Sequence, residues 1–249
     1  PFNKNMNITF VIHARLADAK LEKFKAKIQT VFSTGFEISF SSTTAESGAK
    51  DQVRIAIENG AKYVIIAGGD GSVNEAVNGY MEVTESLRNT VTLGVYPMGT
   101  GNDFSKSLKV TKNLKELRKL IQNKSILRVD VCKMNFVGLT KQNESRYFIN
   151  ISDIGIGGLV VEKMKNSSRK LGASLTYFKS ILSSFFTYKK QPIRLKSPKM
   201  NWRGEIMSLC MANGKYFGSG MCIAPDAELN DGRIQLTILG DISVIDYIK

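Results

Sequence analysis

The 249-residue chain is 43% hydrophobic and 23% charged, without repeats or low-complexity tracts, which excludes disordered and collagen-like classes and leaves room for two modest domains. Its formal net charge of +13 calls for an anionic partner: nucleic acid, phospholipid headgroups or a phosphorylated ligand. Cys132, Cys210 and Cys222 lack metal-ligand spacing and His13 is the single histidine, so no zinc site is expected and a reducing cytosol is the expected compartment.

Asn7–Ile12 forms a strand, and Leu16, Leu21, Phe24 and Ile28 give the next segment one apolar helical face. Phe36–Phe40 alternates as a second strand. Ala49–Asn59 is helical and closes at Gly60, as a C-terminal glycine cap requires. Tyr63–Ala67 is a continuous apolar run, typical of a strand covered on both faces. A helix from Val73 into the early 80s, a strand over Thr90–Tyr96 and a helix over Leu114–Gln122 extend the alternation. Residues 1–128 are therefore expected to form an α/β N-terminal domain, a parallel sheet with helices on both faces.

Beyond that point the texture changes. Leu127–Met134, Arg146–Ile151, Ile206–Met211 and Ile234–Leu239 all read as strands, so residues 129–249 are expected to form a strand-rich, β-sandwich-like C-terminal domain. Within it Leu171, Leu175, Phe178, Leu182 and Phe185 mark one amphipathic helix. Lys163 to Arg203 carries eleven basic residues and no acidic one, which suits an anionic leaflet; the alternative is an ordinary solvated surface face. No run approaches the roughly 18 consecutive apolar residues of a membrane span, and the Pro1 start and Lys249 end are expected to be those of a fragment.

Two loops carry chemistry. Gly68-Gly69-Asp70-Gly71-Ser72 lies between a buried strand and a helix, where backbone N–H groups face a phosphate that side chains would obstruct. The alternative is an ordinary tight turn with Asp70 or Ser72 as cap. A carboxylate beside phosphates repels them unless a divalent cation lies between, so Asp70 predicts Mg2+. Pro97-Met98-Gly99-Thr100-Gly101-Asn102-Asp103-Phe104 is a second small-residue loop at the carboxyl end of a strand, the place where open parallel sheets bind ligands.

These two loops, with Asn74-Glu75 after the first, Asp130, Asn150–Gly157, Asn213–Met221 and Ala224–Gly232, together resemble the diacylglycerol kinase catalytic domain family, in its bacterial soluble lipid kinase branch. The resemblance implies an ATP- and Mg2+-dependent kinase that phosphorylates a lipid hydroxyl, diacylglycerol or a related lipid, in phospholipid metabolism. It implies ATP contacts from Thr44, Gly68, Gly69, Asp70, Gly71, Ser72, Val73, Asn74, Gly99 and Thr100, and catalytic roles around Mg2+ for Asp70, Asp103 and Asp130. Glu228, Asp231 and Arg233 match positions that bind a separate structural Mg2+, Arg233 through its carbonyl; Asp231-Gly232 also reads as a hairpin turn. The implied acceptor site is a cleft between the domains.

Two features depart from the family pattern. The first strand is followed by His13-Ala14-Arg15-Leu16-Ala17 instead of an Asn-Pro-x-Ser/Ala-Gly loop, and His13 reads as a strand-end residue. The family's general-base glutamate would fall past Lys249. The expected partners are a lipid met peripherally at an anionic membrane surface from the cytoplasm and, in a dimer, a second copy. Nucleic acid is not expected, since the loops are acidic and no recognition motif occurs. The competing readings are an NAD kinase-like enzyme, phosphofructokinase, which shares the first loop but not Asn74-Glu75, and a non-catalytic nucleotide- or lipid-sensing module.

Overall fold

A computed structural model describes residues 6–13, 18–166 and 173–240. They divide into two compact units. The first runs to Asn150 and also takes in Tyr216–Met221 and Leu229–Gly232; the second holds the rest. The composition shift near residue 128 gives no sign of these two late segments.

In the first unit the order is β1 (Met6–Ile12), α1 (Asp18–Val31), β2 (Phe36–Ser42), α2 (Ala49–Glu58), β3 (Tyr63–Gly68), α3 (Asp70–Glu82), α4 (Glu85–Arg88), β4 (Thr92–Pro97), α5 (Asp103–Ser107), α6 (Leu114–Gln122), β5 (Cys132–Val137) and β6 (Asn143–Phe148). Four strands form one sheet in the order β2-β1-β3-β4, all parallel. Side-chain alternation divides the core between its faces. Val11, Val64 and Ile66 pack with Val53 and Ala56 of α2 and Val73 and Ala76 of α3. Phe10, Ile12 and Ile65 pack with Ile28 and Phe32 of α1 and Ile121 of α6. Helices thus cover both faces, as the apolar run of β3 predicts.

Several expectations shift: Arg146–Ile151, expected as one strand, is divided between β6 and a strand starting at Ile151, and Ile206–Met211 is broken at Met207. The helix after β3 begins at Asp70, not Val73, so Asp70-Gly71-Ser72 is its first turn and only Gly68-Gly69 is loop. The strand expected over Leu127–Met134 forms instead at Cys132–Val137, paired with β6 from Cys132↔Phe148 to Val137↔Asn143. Residues before it are drawn elsewhere: the Asp130 N–H donates to the Leu229 carbonyl at 2.7 Å. Asn78 of α3 holds the hairpin, exchanging hydrogen bonds of 2.8 and 3.0 Å with the backbone of Tyr147. Glu75 accepts from the Ala49 N–H at 2.9 Å, so its carboxylate caps the start of α2, where a negative charge is favourable.

The second unit continues with β7 (Ile151–Gly155), α7 (Ile156–Lys165), α8 (Ala173–Thr187), β8 (Gln191–Ser197), β9 (Met200–Ile206), β10 (Ser208–Ala212), the short β11 (Tyr216–Phe217) and β12 (Met221–Cys222) that carry the chain into and out of the first unit, and β13 (Gln235–Leu239). Its sheet has the order β13-β10-β7, antiparallel throughout; β8 and β9 form a separate hairpin. The expected amphipathic helix is α8, though Leu171 and the side chains of Leu175 and Phe178 lie outside what is described. Its buried polar residues Thr176, Ser180 and Ser184 recur at every fourth position. The Ser180 and Ser184 hydroxyls donate to carbonyls one turn back, at 2.8 and 2.7 Å, which satisfies them without a partner element. No helix among the described residues is long and apolar enough to cross a membrane.

Candidate active site

β3 and β4 are neighbours in the parallel sheet, so the loops leaving their carboxyl ends lie side by side. The approach is close: a Cβ on Gly69 would sit 2.9 Å from the Gly99 Cα. Met98 N–H donates to the Gly68 carbonyl at 2.9 Å, carrying the ladder into the loops. Asn102 adopts a left-handed conformation (φ 52°), which asparagine tolerates better than most residues. Its side chain accepts from the Gly99 N–H at 2.8 Å and donates to the Gly99 carbonyl at 2.7 Å. The Asn102-Asp103 turn therefore fixes the shape of the second loop and leaves Thr100 exposed at its tip.

Helix α3 starts at this junction. Its N-cap is Gly69, with no side-chain cap bond, which removes the reading of Asp70 or Ser72 as caps. The first helical bond runs from the Val73 N–H to the Gly69 carbonyl at 3.0 Å. Val73 is thus committed to the helix by its N–H and to the core by its side chain, and the N–H groups of Asp70, Gly71 and Ser72 precede the ladder. Three donors at the positive end of a 13-residue helix make an anion-receptive terminus. Gly68 answers to packing, since a Cβ there would collide with Ser72 at 2.6 Å. Gly71 does not: a Cβ on it would meet nothing within 4 Å.

Two carboxylates converge beside this terminus. Asp70 Oδ2 and Asp103 Oδ2 lie 3.0 and 3.2 Å from the point a Cβ on Gly101 would occupy. Asp70 Oδ1 accepts from the Phe104 N–H at 3.0 Å, which leaves Oδ2 turned toward the loop. Asp103 is buried and compensated as a buried carboxylate must be: Lys106 Nζ lies 3.1 Å from Oδ1 and the Ser219 N–H donates to Oδ2 at 2.9 Å. Ser219 itself has φ 74° between positive-φ Gly218 and Gly220. Neither Lys106 nor Ser219 is found by sequence reasoning. Lys106 has only its i,i+3 spacing from Asp103 as a signal, and Ser219 lies 116 residues away.

The other expected residues are placed as follows. Thr44 is exposed just beyond β2, and its hydroxyl oxygen accepts from the Glu46 and Ser47 N–H groups at 3.2 and 3.0 Å, so its own proton remains available to donate. Asn74 is exposed on α3. Asp130 Oδ2 accepts from the Gly232 N–H at 2.7 Å and so anchors the turn containing Asp231, where Gly232 has φ 68°. Glu228, Asp231 and Arg233 are exposed. Among the described residues no group of three or more His, Cys, Asp or Glu side chains gathers as a metal site. His13 directly follows β1, its N–H donating to the Ala67 carbonyl at 3.1 Å; residues 14–17 lie outside the described residues.

In the second unit Asp153 sits on β7 opposite Cys210 of β10. Burial pushes its carboxyl above the usual carboxylate range, against the Gly157 N–H and its own, which favour ionisation. The buried Oδ2 has no hydrogen-bond partner. The same burial raises the Cys210 thiol, and burial followed by the Asp153 charge raises the Tyr188 phenol. The native state holds its Asp153 proton more tightly than the unfolded chain, so this group costs stability as pH rises from the unfolded value through the raised native one. Asp153→Asn is expected to raise the thermal midpoint near about pH 7 and to leave it unchanged near about pH 3, where both states are protonated. Melting curves across that range check it.

An open parallel sheet whose paired glycine loops meet at an uncapped helix N-terminus, beside two carboxylates, is an α/β architecture with an anion-receptive edge, joined here to an antiparallel strand-rich unit. Residues 7–134 match the model of the diacylglycerol kinase catalytic domain, and residues 153–249 match that of the YegS C-terminal NAD kinase beta sandwich-like domain. The chain belongs to the diacylglycerol kinase catalytic domain family. It is 27% identical over 197 residues to a protein named "Probable lipid kinase YegS-like" from Yersinia enterocolitica, covering 79% of this chain and 63% of that protein. A protein of the same name from Alcanivorax borkumensis is 28% identical over 216 residues, covering 86% and 68%. A solved diacylglycerol kinase from Bacillus anthracis str. Sterne superposes with a TM-score of 0.69 at 22% identity, over 98% of this chain and 77% of that one, which establishes a shared fold.

Proposed function

We propose that this chain carries the ATP-binding and phosphoryl-transfer machinery of a lipid kinase, with diacylglycerol or a related lipid as acceptor. The observation that carries the proposal is the convergence of Asp70 and Asp103 on Gly101, beside the uncapped N-terminus of α3. Phosphoryl transfer requires in-line positioning and charge compensation more than covalent chemistry from the protein. The N–H groups of Asp70, Gly71 and Ser72 would receive phosphate oxygens, with the Gly99-Thr100 tip closing over them and Thr44 and Asn74 as further polar contacts.

Mg2+ is commonly held by one or two carboxylates together with substrate phosphates and water, and the Asp70–Asp103 pair fits that need; the bound ion would neutralise charge developing on the transferred group. Lys106 holds Asp103 in place through Oδ1. Asp130, which also fixes the Gly232 turn, remains a proposed member of the acidic environment of the catalytic Mg2+, and Glu228, Asp231 and the Arg233 carbonyl remain the proposed ligands of a second, structural ion. The apolar acceptor is assigned to the strand-rich unit and its delivery to peripheral contact with an anionic leaflet.

Incubating the protein with radiolabelled ATP and diacylglycerol, sphingosine, phosphatidylglycerol and NAD in parallel is the test. Label in a lipid is the expected result. Label in NAD alone would replace the lipid reading with an NAD kinase one, and nucleotide binding without any labelled product would make the chain a sensor.

A further inference from the structure

The eleven basic residues between Lys163 and Arg203 are not an undifferentiated cationic surface. In β8–β9, residues opposite each other share a face, and the register pairs Arg194↔Arg203, Lys196↔Asn201 and Pro192↔Glu205 on one side, with Ile193↔Gly204, Leu195↔Trp202 and Ser197↔Met200 on the other. The first face is exposed at Arg194, Lys196, Asn201, Arg203 and Glu205, whereas Ile193, Leu195 and Trp202 are half-buried. The hairpin is therefore amphipathic, with a cationic side turned to solvent.

That side is unusual for an exposed ladder. Like charges placed directly opposite each other destabilise a strand pair, yet Arg194 faces Arg203. The Arg194 Nε donates to Asn201 Oδ1 at 3.3 Å, and among the described residues no ion pair neutralises Arg194, Lys196 or Arg203. An external anion lying between the two cations would relieve the repulsion, and the phosphates of anionic headgroups supply such a charge. Just ahead of the hairpin, at the end of α8, Phe186 is 80% exposed. A cationic face following an exposed aromatic suits a lipid surface better than a nucleic acid backbone, since an apolar side chain gains only where it can leave water.

We propose that the Arg194–Lys196–Arg203 face of the β8–β9 hairpin binds the phosphates of anionic lipid headgroups and docks the protein on the bilayer that holds its acceptor. The proposal rests on the lipid kinase reading for the identity of the surface, but its test does not require turnover. Sedimentation with phosphatidylcholine vesicles, with and without phosphatidylglycerol, measures it. Each basic residue near an anionic surface contributes about fivefold in partitioning. Replacing all three (R194A/K196A/R203A) is therefore expected to lower binding to the anionic vesicles on the order of 100-fold, with little change on neutral ones and no loss of stability in the melting curve, since the facing arginines repel each other. The charge-preserving pair R194K/R203K should keep most of the binding.

Equal binding by wild type and the triple variant, or a loss of double-stranded DNA binding without a loss of vesicle binding, would overturn the proposal. So would a loss in R194K/R203K as large as in the triple variant. Phosphorylation of diacylglycerol in neutral detergent micelles separates the two readings. Charge-dependent vesicle binding without any lipid phosphorylation leaves the dock standing and removes the kinase assignment; micelle activity with charge-independent vesicle binding does the reverse.

Discussion

Asp70→Asn is expected to lower phosphoryl transfer by about 100- to 1,000-fold, the range seen when one preorganised electrostatic group is removed from a reacting centre, while leaving the melting curve nearly unchanged. The substitution is isosteric. Asn retains an Oδ1 that accepts the Phe104 N–H, the 3.0 Å bond joining α3 to the second loop, so the architecture has no reason to move. What is lost is the charge on Oδ2, the oxygen facing Gly101 opposite Asp103. If that oxygen helps hold Mg2+, the half-saturating magnesium concentration should rise along with the fall in rate, a readout that a structural role would not move. Near-normal turnover at ordinary magnesium would refute the metal assignment. Asp103→Asn is the less clean experiment. Asp103 is buried, pairs with Lys106 and accepts from Ser219, so losing its charge leaves Lys106 without a counter-ion and weakens the tie to Tyr216–Met221 as well as altering the site.

The parallel sheet was legible because its strands are short apolar runs and its helices show a single apolar period. Leu114–Gln122 is predicted and observed with the same bounds, and Gly60 closes α2 with φ 86° as expected. Local signals of this kind act within a few residues. The site needed more. Its loops could be read from glycines and acidic residues, but the reason for particular glycines could not: Gly69 and Gly99 exist for each other, Gly68 for Ser72, and Gly71 for nothing in the protein. Glu75, read as a family marker, turns out to cap α2 from another helix. Asp130 shows the same limitation. Its bond to Gly232 spans 102 residues, a pairing that no periodicity encodes. The strand expected at Leu127–Met134 slipped for the same reason, since the backbone at Asp130 bonds to Leu229 in place of a ladder partner.

Gly71→Ala separates phosphate binding from folding. At most glycines in the site a methyl group would injure both. On Gly99 it would run into the Gly69 backbone, and neither chain can yield as a flexible side-chain tip would, so Gly99→Ala should lose stability and activity together. Gly71 is different on each count. It lies in the first turn of α3, carries no positive φ, and its Cβ would enter open space. Alanine is favoured over glycine in a helix and reduces the freedom of the unfolded chain, so stability should rise by about 0.5–1 kcal/mol. A glycine at a helix start where packing does not demand it leaves space that a ligand outside the chain can occupy. If that is a nucleotide phosphate received by the N–H groups of Asp70, Gly71 and Ser72, the methyl group stands in its way. ATP binding measured calorimetrically should then weaken by about tenfold or more, on the order of 1.4 kcal/mol, in a protein that melts later than wild type. A stabilised Gly71→Ala protein with undiminished ATP affinity would mean that the phosphates lie elsewhere, and the role given to the start of α3 would have to be abandoned.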